Sequence, residues 1–131
     1  MPMNQDLVGK AYPPVPFSVS PERVGAFAAA VGERDSVVPP TIASIPEVVS
    51  LSYAIGDRDL GLDYSRVVHA DQEYEWDRPL RMGDELIVIT TIASIRAKGG
   101  HEWLVLESDV RDGGGERVVL ARSTLIVRGI A

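Results

Sequence analysis

Few side chains in this sequence can do chemistry, and their types narrow the options at once. There is no cysteine, so a thiol nucleophile, a disulfide and a thiolate-bound metal are all excluded. Only two histidines occur, His69 and His101. They lie far apart on strand-like runs, so no zinc site is expected and no metal is assigned. Ser44, Ser50 and Ser52 share one helical stretch, but no histidine is placed to activate them and no G-x-S-x-G elbow is present. They do not form a nucleophile set. The segment VGERDSVV, residues 31–38, carries two carboxylates, Glu33 and Asp35, between two helical runs. Acid–base chemistry is present or absent there.

The elements that must position such residues are legible. Ser20, Pro21 and Glu22 form a helix start: a capping hydroxyl, a proline at the first helical position and an acid in the first turn. Val24, Phe27, Ala28 and Val31 then fall on one apolar face, and Gly32 closes the helix. Pro39 and Pro40 hold the next loop extended. The stretch PPTIASIPEVVSLSYAI, residues 39–55, leads into a second helix, clearest from Pro46 to Ile55. Glu47 suits the helix dipole there, and the apolar surface is wide enough to predict burial on most sides.

Four strand-like runs follow. Strict alternation in residues 67–76 puts Val68, Ala70, Gln72, Tyr74 and Trp76 on one face and His69, Asp71, Glu73 and Glu75 on the other. Residues 85–95 are apolar on both faces, as for a central strand covered on both sides. Gly99-Gly100 and the triple glycine at 113–115 mark hairpins. Residues 12–19 contain three prolines, which allows an edge strand at most. The first ten residues read as a polar arm or a first short turn. Helices first and strands afterwards predict an α+β domain spanning residues 1–131, a long antiparallel sheet wrapped around one central helix. Exposed sheet edges predict a dimer or pseudo-dimer.

The chain's 131 residues suffice for one core. A net charge of −6 argues against nucleic acid as a partner. No apolar run approaches the length needed to cross a bilayer, and no basic–apolar leader opens the sequence, so a cytoplasmic protein without membrane insertion is expected. Arg78-Pro79 and Gly83-Asp84 read as turn chemistry. Arg78, Arg81, Arg96 and Lys98 read as ordinary surface cations rather than a phosphate rim, and Tyr53 and Trp76 as core or interface aromatics.

Residues 67–86, VVHADQEYEWDRPLRMGDEL, resemble the H-x-x-Q-x-(F/Y)-x-(Y/W)-x-R-P-(L/V)-x-x-G-D-x-L stretch of MaoC-like dehydratases. Similarity is greatest to the FAS1-like dehydratase group, which includes the small subunits of mycobacterial (3R)-hydroxyacyl-ACP dehydratases. PPTIAS resembles that group's entry into the central helix, and Leu7-Val8-Gly9 with Tyr12 its L-x-G-x-x-Y opening. The resemblance covers residues 5–127. It implies a hot-dog fold and (R)-specific hydration or dehydration of acyl thioesters on CoA or acyl carrier protein, within fatty acid metabolism, with no cofactor.

The catalytic branch of that family carries G-D-x-N-P-(L/I/V)-H, whose Asp and His hold the water and move the protons. Laid on this motif, Gly32 takes the glycine, Glu33 the Asp, Asp35 the Asn and Val38 the His. Valine cannot transfer a proton. No intact catalytic residue is therefore assigned, and Glu33 and Asp35 remain only weak candidates. His69 matches the family's strand histidine; with Gln72 and Ser44 it is a candidate for contact with substrate or a partner subunit. Small residues, Ala43, Ser44 and Ser50, are expected to leave room for an acyl chain. The resemblance implies an accessory hot-dog subunit, paired with a catalytic MaoC-like subunit. Two alternatives stand beside it: a self-sufficient homodimeric thioesterase or hydratase, and a non-enzymatic acyl-CoA-binding protein.

Overall fold

The structure, a computed structural model, describes residues 2–32 and 38–129. Glu33 and Asp35 therefore lie outside the described residues. The first helix, α1 (Pro21–Val31), forms as its capping residues dictate. The Ser20 hydroxyl oxygen accepts from the Arg23 N–H at 3.2 Å, and Gly32 ends the helix at φ 76°, a left-handed conformation that favours glycine. Its buried residues are Val24 and Ala28.

Five strands form one antiparallel sheet in the order β1-β3-β4-β5-β2. They are β1 (Val15–Ser18), β2 (Val67–Trp76), β3 (Glu85–Lys98), β4 (His101–Arg111) and β5 (Arg117–Val127). The short β1 carries Pro16 and sits at one edge, where a missing N–H costs no ladder bond. The opposite edge is β2. Gly99 and Gly100 both have positive φ, 63° and 78°, which gives the tight two-residue hairpin that sets Lys98 opposite His101.

The concave face of the sheet is the buried one. Leu86, Val88, Thr90 and Ile92 of β3, with Leu104, Leu106, Ser108 and Val110 of β4, are almost fully buried. The opposite face of β3 is not covered: Ile87 and Ile89 are 40% and 37% exposed. The expected two-sided burial of this strand is thus corrected, because only one layer of helix packs on the sheet.

That layer is α2 (Ser44–Ile55), entered through a 3-10 turn at Pro40–Ala43. It was expected to be buried on most sides and is not. Pro46, Glu47, Ser50 and Ala54 are buried, while Val48, Val49 and Tyr53 are 62%, 48% and 43% exposed. The small-residue side faces the sheet because it lets the helix approach closely. Ser50 Oγ lies 2.6 Å from Thr90 Oγ1, which lies 2.8 Å from Ser108 Oγ, so three buried hydroxyls satisfy one another under the helix. Ala43 and Ser50 are 2% and 0% exposed.

The first residues include the expected short turn, a 3-10 turn at Gln5–Leu7. Met3 is 3% exposed, and its N–H donates to both carboxylate oxygens of Glu102, each at 3.0 Å. Glu102 is itself 1% exposed. At the other end of the sheet Arg78 donates to both oxygens of Asp84 at 2.9 and 3.0 Å and also reaches Asp112. A long antiparallel sheet against one helix is the hot-dog architecture. Among the described residues no helix is long and apolar enough to cross a membrane.

Candidate functional site

A single-residue irregularity in β2 builds the site. His69 pairs with Leu125 and Asp71 pairs with Thr124, so Ala70 has no partner and forms a β-bulge. A bulge reverses the alternation on one side of it. Val67 and His69 therefore share the helix-facing side with Gln72 and Tyr74, and Val68 turns outward. The strict alternation expected from the sequence, with His69 and Gln72 on opposite faces, is corrected on this point.

These four residues form one wall of a cleft of about 440 Å³ between β2 and α2. The helix supplies Ser44, Glu47, Val48, Leu51 and Ile55. Leu125 and Tyr64 complete it. Ser44, His69 and Gln72, the candidates named from sequence, thus line one cavity. Its end near Leu51, Ile55, Val67 and Leu125 is apolar, and its other end is polar.

Glu47 organises the polar end. It is 3% exposed, and every donor it meets is neutral. The Tyr74 hydroxyl donates to Oε1 at 2.8 Å, and Gln72 Nε2 donates to Oε2 at 2.8 Å. The Ser123 hydroxyl lies 3.1 Å from Oε2 and 2.5 Å from Gln72 Oε1, and its single proton serves one of them at a time. A carboxylate buried without a cation is costly unless such hydrogen bonds replace its water. The first turn of α2 adds the favourable end of the helix dipole. Burial first, and then the bond to Glu47, push the Tyr74 phenol above its ordinary range.

Two chemical consequences follow. Glu47 has both oxygens hydrogen-bonded to neutral donors, Oε1 to one and Oε2 to as many as two, so acceptor capacity remains on Oε1. Gln72 has its amide orientation fixed, nitrogen to the acceptor-only carboxylate and oxygen to Ser123. Glu47 takes one Nε2 hydrogen; the second has no acceptor among the described residues and is available to a ligand. Sequence reasoning assigned Glu47 only a helix-end role and missed Ser123. The available signal was that Glu47 is the sole charge in α2.

Other candidates fall elsewhere. His101 Nδ1 accepts from the Gly129 N–H at 3.1 Å. Arg78 belongs to the ion-paired turn with Asp84 rather than to a phosphate rim. Val38 lines a separate hollow of about 390 Å³ with Trp76 and Leu80. Another groove, about 560 Å³ between α1, β1 and α2, is apolar apart from Arg23, which lies over the Phe17 ring, and holds no acid–base group. Among the described residues no group of three or more metal-ligating side chains occurs.

Residues 6–121 match the family model described as FAS1-like, dehydratase domain region. The chain belongs to this family. A UPF0336 protein of Leifsonia xyli subsp. xyli is 37% identical, covering 98% of this chain and 98% of that protein. A UPF0336 protein of Streptomyces coelicolor is 38% identical, with 98% and 97% covered. The first alignment runs over 146 positions, more than the 131 residues of this chain, so that relative carries residues this chain lacks. Among solved structures, the C-terminally truncated HadBC (3R-hydroxyacyl-ACP dehydratase) complex from Mycobacterium tuberculosis is 25% identical at a TM-score of 0.75, covering 92% of this chain and 97% of that one. A MaoC-like dehydratase superposes at 0.81 and 24% identity, with 97% of this chain and 43% of that chain covered. This last likeness concerns the fold alone.

Proposed function

We propose that this chain, as one hot-dog unit, is the accessory subunit of an (R)-specific 3-hydroxyacyl-thioester dehydratase or enoyl hydratase. The observation that carries the reading is the cleft between α2 and β2. Its apolar end suits an acyl chain, its buried carboxylate has both oxygens hydrogen-bonded, and it is flanked by surfaces that suit a second subunit. Those surfaces are the free edge of β2 and the exposed Val48, Val49 and Tyr53 of α2. Val38, standing where the family motif has its histidine, supports the same reading. So does the likeness to a dehydratase solved as a complex.

In this reading a partner supplies the Asp/His pair. Its base removes the α-proton and its acid protonates the departing β-hydroxyl. The chain described here walls the acyl tunnel with Leu51, Ile55, Val67 and Leu125, and offers the spare Gln72 N–H to the bound thioester. Co-expression with a MaoC-like protein bearing the intact motif tests it. The expected result is a stable heteromer whose turnover of (R)-3-hydroxyacyl thioesters exceeds that of the partner alone. No complex, or a complex no more active than the partner, would sink the proposal.

One observation favours a second reading. The bulge at Ala70 turns His69 into the cleft, where it has no hydrogen-bond partner among the described residues. A self-sufficient homodimer would use that imidazole. Turnover by the chain alone, abolished in His69→Ala, would select this reading over the first.

A further inference from the structure

The convex face of the sheet carries a feature the cleft does not use. Trp103, Ile126 and Val68 lie side by side across β4, β5 and β2 in direct register. Trp103 and Val68 are 37% and 41% exposed, so this is an apolar row on an open surface. Its border is cationic. Arg96 is the cross-strand partner of Trp103 on β3, and Lys98 is two residues further along the same face. Together they line a hollow of about 470 Å³ against the Trp103 indole. Arg128 follows β5 and Arg66 precedes β2, both exposed. Arg96, Lys98 and Arg128 form no salt bridge with any described residue. Arg66 meets Asp63 at 3.4 Å.

Three cations, Arg96, Lys98 and Arg128, gathered without ion pairs among the described residues are unexpected on a chain of net charge −6. Positive groups gathered at one end attract an acidic partner at long range and orient it. An apolar centre with a charged border is also the usual anatomy of a protein interface. The cations without an ion pair, Arg96 and Lys98 on β3 and Arg128 after β5, span two inter-strand gaps of about 4.8 Å, or about 10 Å. An α-helix about 10–12 Å across, with acids along one face, matches that width.

The location agrees with the cleft. Ala97, Glu102, Val127 and Val67 are level with one another across the sheet, so the cationic rim lies at the strand ends. Val67 and Tyr64 line the apolar end of the cleft at this same end, on the opposite face. We propose that the convex surface of Arg96, Lys98, Trp103, Ile126 and Arg128 docks an acidic helix of an acyl carrier protein. The thioester arm then passes round the β2 edge into the cleft. This rests on the dehydratase reading above and names the carrier it serves.

Binding of an unacylated acyl carrier protein to the isolated chain tests the surface without any turnover. The wild type is expected to bind, and to bind more weakly as salt rises from about 0.05 to 0.5 M. The double variant Arg96→Glu/Lys98→Glu, on exposed positions outside the cleft, is expected to weaken binding at least about 10-fold. Trp103→Ala should also weaken it. With the catalytic partner added, the double variant should lower kcat/KM at least about 10-fold for a substrate on carrier protein. The same acyl group on CoA should change less than about 2-fold. No binding by the wild type, equal binding by the charge-reversed chain, or displacement of the carrier protein by free CoA overturns the proposal. If the carrier protein binds as expected but the complex turns over neither substrate, the docking surface stands and the dehydratase reading fails.

Discussion

Glu47 makes the sharpest residue-scale test, because three neighbours depend on it. Truncating it strands the Tyr74 hydroxyl and the Gln72 amide beside a small void. Glu47→Ala is expected to lose about 3 kcal/mol of stability, read as a lower urea midpoint at unchanged m. Tyr74→Phe should cost about half as much. A midpoint for Glu47→Ala within error of wild type would show that the network carries no structural load. The residue types that matter were partly legible: Ser44, His69 and Gln72 were named before their meeting place was known. Glu47 was visible but misread, since a Glu in a first turn satisfies the dipole argument without further explanation. The hydrophobicity of α2 misled in the same way. It weights Val48, Val49 and Tyr53, yet the face that packs on the sheet carries Pro46, Ser50 and Ala54, where close approach matters more than apolar bulk.

At the scale of elements, capping chemistry and paired glycines were enough to place α1 and the β3–β4 hairpin. The bulge at Ala70 was not legible. A one-residue slip leaves composition untouched and shows only in the pairing with β5, yet it decides which way His69 points. The turn between β2 and β3 offers a second quantitative test. The Arg78 guanidinium, followed by the Arg81 N–H, holds the Asp84 carboxyl below the usual carboxylate range. A depressed folded-state pKa gives stability that is fully present above the unfolded value of about 3.9 and is lost as pH falls through the folded value. Asp84→Asn should therefore cost about 1–3 kcal/mol at pH 7. The gap between variant and wild type should narrow below about pH 4. Urea midpoints at pH 7 and pH 3 that differ by the same amount would contradict this.

For the whole molecule, the antiparallel meander was readable from glycine spacing. What the sequence left open was how thin a single chain is: one sheet, one helix layer, and an apolar helix face with nothing described above it. Val48→Asp should leave the stability of the isolated chain within about 0.5 kcal/mol, as for most exposed sites. In native mass spectrometry it should abolish association with the catalytic partner; an intact complex would place the interface elsewhere. The contact between Met3 and Glu102 reaches in a different direction. It makes the first few residues a stopper in the core, so their removal would leave a carboxylate sealed in without a donor. Shortening the chain from that end, by protease or by design, should unfold it sooner than cutting an exposed turn would, and an affinity tag belongs ahead of these residues rather than in their place.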